Sequence, residues 1–344
     1  MFSLSSCSVA RWGITGVGGF IGSHVLQTLL HQNCNVVGID DFTTGHEANL
    51  EAVRAGVSEA QWAGFHLVRG DVSDPRLLDQ FLRGVHVVLH LAALVSVPAS
   101  ILNPTGTHRV NVTGFLELLE AARRCGVRRL VYASSSAVYG DMTELPSRED
   151  RIGQPLSPYA LSKRINEQYA ALYERCYGLV SVGLRYFNVF GPRQDPRGAY
   201  AAVIPQWIQA LSEGRDLIIH GDGETTRDFC PVSQVVEANL RAATVELPSQ
   251  APRVYNIGLG RATSLKDLAA QLQKLVSRRL PMTQPSSCVH GPPRPGDVRH
   301  SRADVSLARR WLGLEPGDIL PAELERTVDY FANHIAKDQG TPRK

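Results

Sequence analysis

The stretch Trp12-Gly-Ile-Thr-Gly16-Val-Gly-Gly19-Phe-Ile-Gly22 decides the fold. A short apolar strand pattern runs into three glycines spaced three residues apart, and an apolar helical pattern follows. Gly16 permits a tight turn, Gly19 lets the backbone approach a pyrophosphate, and Gly22 allows the helix to pack closely on the strand. The helix N-terminus adds free N–H groups and a positive dipole end. A glycine-rich turn without a ligand is the alternative, but the strand before it and the helix after it favour a dinucleotide loop. The predicted contacts in this loop are Gly16, Gly19, Phe20, Ile21 and Gly22.

A second strand pattern, Asn35–Asp40, places a carboxylate beyond the loop. Asp40 follows Gly22 at close to the spacing of about 20 residues that is typical of an acid binding a ribose. Asp40 and Asp41 would repel a 2′-phosphate, and no arginine lies nearby in the sequence to neutralise it, so NAD is favoured over NADP. Asp71 and Val72, after the third strand pattern, are predicted to contact the adenine.

Strand and helix patterns alternate through the first half of the chain. This alternation is typical of βαβ units that form a doubly wound parallel sheet, and it predicts the α/β class. The predicted strands are Trp12–Thr15, Asn35–Asp40, Phe65–Arg69, Val85–Leu91, Arg129–Ser134 and Val180–Phe187. The predicted helices between them include His24–Gln32, His108–Cys125 and Pro158–Tyr177.

The pattern changes beyond Asn188, where proline and glycine become frequent. We interpret residues 1–187 as a nucleotide-binding domain, joined by 229–260 because a helix and a strand at Val254–Gly258 can return to the sheet edge. Residues 188–228 and 261–344 are predicted to form a smaller domain that covers the substrate.

The composition excludes several classes of protein. The chain has 344 residues, of which 43% are apolar and 20% charged, enough for a continuous core. The 36 basic and 33 acidic residues form no stripe that would bind nucleic acid. No apolar run approaches the roughly 20 residues of a membrane span. Six dispersed cysteines favour reduced thiols. We therefore expect a cytoplasmic protein without a metal site, a nucleic-acid partner or membrane insertion.

A pair of polar side chains opens the helix pattern Pro158–Tyr177. Tyr159 and Lys163 lie four residues apart and so share one helix face. A phenol with a pKa of about 10 is a poor base at neutral pH, and a neighbouring ammonium stabilises its phenolate. The pair alone is most often an exposed amphipathic turn. However, Ser134-Ser135-Ser136 ends a predicted parallel strand, where doubly wound sheets bind ligands.

Five motifs together resemble the extended short-chain dehydrogenase/reductase family. They are the glycine loop, His90-Leu-Ala-Ala93, Ser134-Ser-Ser-Ala-Val-Tyr-Gly140, Tyr159-x-x-x-Lys163 and Leu184-Arg-Tyr-Phe-Asn-Val-Phe-Gly191. The likeness covers about residues 10 to 315 and is strongest to bacterial 4-epimerases of UDP-N-acetylhexosamines. It implies a Rossmann-type fold, bound NAD, a UDP-sugar substrate and a homodimer.

The resemblance also assigns residues to roles. Ser135, Tyr159 and Lys163 are the implied catalytic residues, with Ser134 or Ser136 as alternatives to Ser135. Leu91 and Ala92, together with Tyr159 and Lys163, are implied cofactor contacts. The implied substrate contacts are Ser96, Ser100, Ser135, Ser136, Asn188, Ala202, Val203, Trp207, Arg227, Arg294, Asp297 and Ser301. Ile218 and His220 depart from the residues that relatives often carry at the uracil site.

Two positions select among the reactions of the family. Ser136-Ala137 stands where the dehydratase branch carries Asp-Glu, so the resemblance favours simple epimerisation through a transient 4-keto sugar. Ser301 stands where epimerases restricted to unacetylated hexoses carry Tyr, which leaves room for a 2-acetamido group. The resemblance therefore favours interconversion of UDP-GlcNAc and UDP-GalNAc. A UDP-hexuronic acid or UDP-glucose 4-epimerase is the first alternative, and a non-catalytic NAD-binding protein is the second.

Overall fold

The computed structural model describes residues 10–197, 201–280, 286–292 and 298–340. The strands in these ranges are β1 (Arg11–Thr15), β2 (Asn35–Asp40), β3 (Phe65–Arg69), β4 (Val87–His90), β5 (Arg129–Ser135), β6 (Ser181–Tyr186), β7 (Asn188–Phe190), β8 (Leu217–His220), β9 (Thr226–Arg227), β10 (Phe229–Pro231), β11 (Val254–Ile257), β12 (Thr263–Ser264) and β13 (Cys288–Gly291). The α-helices are α1 (Phe20–His31), α2 (Glu47–Ala55), α3 (Glu59–Trp62), α4 (Pro75–Phe81), α5 (Val97–Leu102), α6 (Pro104–His108), α7 (Gly114–Arg124), α8 (Pro158–Tyr177), α9 (Val203–Ser212), α10 (Val232–Thr244), α11 (Leu265–Arg279) and α12 (Leu320–Gly340).

Seven strands form a central parallel sheet in the order β11-β6-β5-β4-β1-β2-β3. Strand order reverses beside β1, so helices that connect successive strands lie on both faces of the sheet. This confirms the predicted doubly wound α/β fold. Strand β11 pairs with β6 at the sheet edge, with Tyr255 opposite Leu184.

Alternate side chains of each central strand enter two different cores. In β4, Leu89 packs with α1 and α10, whereas Val88 packs with α4, α7 and α8 on the opposite face. In β5, Leu130 lies in the same core as Val88, and Val131 lies in the same core as Leu89. Because both faces are covered, the strands are nearly continuous apolar runs.

A third cluster of buried apolar residues lies beyond β6. It includes Trp207 and Ile208 of α9, Leu217 of β8, Leu268 of α11 and Leu324 of α12. These helices and β8 pack on one another, and α12 and α11 also contact β10 and β12, the strands that pair with β7 and β9.

Three predictions are corrected. Helix α1 begins at Phe20, directly after the glycine loop, rather than at His24. The predicted helix His108–Cys125 is interrupted by a π-helical turn at Arg109–Thr113, where buried Asn111 bonds both the N–H and the carbonyl of Leu94. Such turns often mark functional sites.

The third correction concerns the cysteines. Cys34 is disulfide-bonded. The wide spacing of the cysteines in the sequence did not indicate this, because pairing depends on distance in space. Four of the other cysteines are free: Cys125, Cys176, Cys230 and Cys288. Among the helices that the structure describes, none combines the length and apolarity needed to cross a bilayer.

Candidate active site

The glycine loop is shaped so that side chains are excluded from it. Gly16 adopts a φ of +69°, and a Cβ there would lie 2.8 Å from the amide nitrogen of Ala92. A Cβ on Gly22 would collide with the carbonyl oxygen of Gly16. Helix α1 has Gly19 as its N-cap, with no side-chain cap and no acidic residue in the first turn. Its first N–H groups are therefore available to an anion, which fits a pyrophosphate.

A cavity of about 200 Å³ opens beside this loop. It is lined by seven of the predicted cofactor residues: Gly16, Gly19, Asp40, Asp71, Val72, Leu91 and Ala92. Asn103, Gly106 and Arg109 line it as well, and sequence reasoning missed them. No sequence pattern marked these three residues, because the loop after β4 and the π-helical turn bring them to the cavity. The set fits the adenosine half of a dinucleotide.

Asp40 is fixed at the end of β2. Its Oδ2 accepts a hydrogen bond from the N–H of Gly18 at 2.7 Å, and its Oδ1 accepts one from Phe42 at 2.8 Å. Burial raises the pKa of this carboxyl group, whereas the two N–H bonds act in the opposite direction. The carboxylate is held in one orientation with acceptor capacity left for ribose hydroxyls.

Replacing Gly22 with Ala tests the cofactor loop. The added methyl meets the backbone of Gly16, so either the loop or α1 must move, at a cost of about 1–3 kcal/mol. We expect the dissociation constant of NAD, measured by calorimetry, to rise at least about tenfold. Gly114→Ala is the matched control, because a Cβ there has only ordinary contacts beginning at 3.6 Å. Equal NAD affinity in the two variants would contradict the assignment.

Helix α8 places Tyr159 and Lys163 against the end of β5. Ser157 caps the helix by accepting from the N–H of Ala160, and Pro158 occupies the first turn. Tyr159 is 8% exposed and Lys163 is 2% exposed, so the alternative of an exposed amphipathic turn is wrong. The Lys163 ammonium donates to the carbonyl of Ala133 at 2.9 Å and lies 5.9 Å from the Tyr159 ring centroid.

Burial shifts both titratable groups. It lowers the pKa of Lys163 to about 8, and it raises the pKa of Tyr159. A hydrogen bond with the Ser135 side chain lowers the pKa of Tyr159 in opposition to burial. Such shifts are characteristic of groups that transfer protons.

The three serines at the end of β5 have different partners. The Ser134 hydroxyl donates to Glu167 at 2.6 Å and is buried. Ser135 accepts from the N–H of Ala137 at 3.1 Å and bonds Tyr159. Ser136 begins a 3-10 turn, Ser136–Tyr139. Of the three, Ser135 is the one whose side chain meets Tyr159.

Ser96 and Ser100 lie on the loop and helix that follow β4. Ser96 caps α5 by accepting from the N–H of Ala99 at 3.1 Å. Ser100 is buried, donates to the carbonyl of Val97 at 2.7 Å and accepts from the N–H of Tyr159 at 3.2 Å. Its hydroxyl thus supports the backbone of Tyr159. The predicted sugar contacts of both serines stay predictions.

A second cavity, of about 260 Å³, lies beyond the carboxyl edge of the sheet. It brings together five predicted substrate residues: Asn188, Ala202, Val203, Trp207 and Arg227. Ile218 and His220 also line it, and so do Gln206, Phe229 and Leu265, which sequence reasoning did not include. The cavity combines an aromatic and aliphatic lining with one guanidinium, which suits a planar base next to a phosphate.

Ser301 is not among the residues that line this cavity, but it is bonded to the strand that carries Arg227. It directly follows the bridge between Thr226 and His300, and its N–H donates to the carbonyl of Thr226 at 3.1 Å. Buried Asp228 fixes the same segment by accepting from the N–H groups of Leu259 and Ala303. Arg294 and Asp297 lie outside the described residues.

The chain matches the model of the NAD dependent epimerase/dehydratase family over residues 12–258. It is 37% identical over 324 residues to a UDP-glucose 4-epimerase of Mycolicibacterium smegmatis, covering 93% of this chain and 98% of the relative. It is 32% identical to UDP-glucuronate 4-epimerase 4 of Arabidopsis thaliana, covering 95% of this chain and 76% of the relative.

A solved structure shares the architecture. The UDP-N-acetylglucosamine 4-epimerase of Methanobrevibacter ruminantium, in complex with UDP-N-acetylmuramic acid, matches with a TM-score of 0.85 and 33% identity, over 94% of this chain and 99% of that chain. Family model, relatives and fold therefore agree. The chain belongs to the NAD-dependent epimerase/dehydratase family, in the branch of the UDP-sugar 4-epimerases.

Proposed function

We propose that this protein is an NAD-dependent 4-epimerase that interconverts UDP-GlcNAc and UDP-GalNAc through a transient 4-keto sugar. The observation that carries the proposal is that buried Tyr159 and Lys163 lie beside half-buried Ser135 at the carboxyl end of β5. This group lies on the sheet edge that also carries the cofactor cavity and the second cavity. Doubly wound sheets bind their ligands at this edge.

The proposed roles follow from the position of each side chain. Tyr159 takes the proton of the sugar 4-hydroxyl and later returns it, while Ser135 hydrogen-bonds the same oxygen. Lys163 stabilises the tyrosinate with its charge and is placed to hold the nicotinamide ribose. NAD, when bound, would supply reversible hydride transfer at carbon 4 of the sugar, from one face and back to the other. Gly16, Gly19, Asp40 and the cavity residues around them orient the cofactor.

The second cavity is the proposed site of the UDP moiety. Arg227 provides a cation for the diphosphate, and Trp207 with Val203 forms an apolar wall for the uridine. The division into a nucleotide domain (1–187 with 229–260) and a substrate domain (188–228 with 261–344) is part of the same proposal. The separate apolar cluster of α9, α11 and α12 supports it.

The substrate choice is based on Ser301 and on the residues after Ser135. Ser136 and Ala137 provide no carboxylate, so the site lacks an acid–base pair at the position where dehydration requires one. Ser301 is small, and a 2-acetamido group needs that space. A relative named for UDP-glucose favours the plain hexose as the alternative, and one named for UDP-glucuronate favours the uronic acid.

The deciding experiment incubates purified protein, without added NAD, separately with UDP-GlcNAc, UDP-Glc and UDP-glucuronic acid. Separation of the products by chromatography should show UDP-GalNAc from UDP-GlcNAc, with no net NADH. If only UDP-glucuronic acid or only UDP-Glc is converted, that sugar nucleotide takes the place of UDP-GlcNAc as the proposed substrate. No conversion of any of the three would favour the non-catalytic NAD-binding alternative.

We also propose a homodimer. Helix α8 exposes Leu161 (48%) and Leu172 (38%), which lie three turns apart on the same face, although its other face is buried against the sheet. Exposed apolar side chains on one helix face are typical of an interface between subunits. The molar mass from light scattering should be about twice the 37.6 kDa of one chain.

A further inference from the structure

A buried ion pair lies directly beneath the candidate catalytic residues. Arg185 of β6 donates from Nε to Oε1 of Glu167 at 2.9 Å, and from Nη2 to Oε2 at 2.8 Å. The side chains are only 4% and 10% exposed. A buried ion pair often gives no more stability than an apolar pair of the same size. The directional bonds that this pair makes to its surroundings therefore need another explanation.

The hydrogen bonds of the Glu167–Arg185 pair reach residues that precede and follow Ser135 in the chain. On one side, Oε1 of Glu167 accepts from the Ser134 hydroxyl at 2.6 Å. On the other side, Nη1 of Arg185 donates at 3.1 Å to the hydroxyl of Tyr139, at the end of the 3-10 turn that follows Ser135. The backbone that carries Ser135 is thus fixed before and after the residue.

The same pair connects this backbone to α8. Tyr159, Lys163 and Glu167 are spaced four residues apart, so they lie in a row on one helix face. They reach three consecutive residues of β5: Lys163 bonds the carbonyl of Ala133 and Glu167 bonds Ser134, while Tyr159 lies near enough to Ser135 for that side chain to lower its pKa. A shift of α8 along the strand would break all three contacts together.

The network continues toward the segment that contains Ser301. The Tyr139 hydroxyl donates to Asn256 of β11 at 2.6 Å. The amide of Asn256 donates in turn to the carbonyls of Ser147 and Asp304. The pair therefore links the candidate catalytic residues to the segment that carries Ser301 and Asp304.

We propose that Glu167 and Arg185 are positioning residues, which hold Ser135 and Tyr159 in the geometry needed for proton transfer. The inference rests on the proposed function, because it concerns the rate of that reaction. A misplacement of about 1 Å at a reacting group can cost about 100-fold in rate. Loss of one bond of the network should therefore lower kcat and leave KM nearly unchanged, since neither Ser134 nor Tyr139 lines either cavity.

The test compares Ser134→Ala and Tyr139→Phe with wild type, each purified with its bound NAD. Ser181→Ala is the matched control, because it is an equally buried serine of β6 that bonds only the carbonyl of Leu179. We expect kcat for the sugar nucleotide to fall about tenfold in both test variants. KM should stay within twofold, and Ser181→Ala should behave as wild type.

Each other outcome is also decisive. A kcat within twofold of the control in both variants, or a raised KM with an unchanged kcat, overturns the positioning role. If Ser134→Ala does not fold, Tyr139→Phe decides by the same criteria. A wild-type enzyme that converts no UDP-sugar overturns the proposed function, and this inference with it, whereas an active wild type with unaffected variants overturns only the inference.

Discussion

Tyr159→Phe should lower kcat for the epimerisation by about 100-fold to 10,000-fold, the usual contribution of a general acid–base residue. The phenyl ring fills the same buried space at the start of α8, so the fold and the cofactor cavity are retained. Only the hydroxyl that bonds Ser135 is lost. Without it, the proposed base for the proton of the sugar 4-hydroxyl is lost.

The measurement is the initial rate of UDP-GalNAc formation, together with the NAD content of the purified variant. Tyr173→Phe is the matched control on the same helix, because its hydroxyl bonds Glu120 of α7, away from the site. It should retain the wild-type rate. If Tyr159→Phe and Tyr173→Phe turn over equally fast, the proton must be transferred by another group, and the proposed mechanism is wrong.

The sheet could be predicted from sequence because its determinants are local. A strand buried on both faces appears as a short apolar run, and the glycine loop marks the strand and helix on either side of it. The bounds of β2, β3 and α8 follow from such signals. The start of α1 does not, since Phe20 lies within the glycine motif and carries no helical pattern of its own.

The contacts beneath the site depend on distant pairs, and the sequence does not display them. Nothing in the sequence around Glu167 of α8 indicates that Arg185 of β6 is its ion-pair partner. The π-helical turn at Arg109–Thr113 also depends on a contact between distant residues, because the loop after β4 holds Asn111. The residues of the second cavity come from five separate segments, and only the family resemblance brought Asn188 and Arg227 into one prediction.

Ser301→Tyr should abolish turnover of the N-acetylated substrates while any activity on UDP-Glc is kept. The segment that carries Ser301 is fixed by the bond from its N–H to the carbonyl of Thr226, so it cannot move away to admit a phenol ring. The ring would then occupy the space of the 2-acetamido group, and a steric conflict of this size costs about 100-fold or more in kcat/KM.

The measurement is the ratio of kcat/KM for UDP-GlcNAc to that for UDP-Glc in wild type and variant. Ser306→Tyr is the matched control, because the same substitution five residues later places the ring on an exposed position. Its ratio should equal that of wild type. Unchanged UDP-GlcNAc turnover in Ser301→Tyr would show that the 2-acetamido group points elsewhere, and the substrate preference would then have to be sought in the residues of the loop after β4.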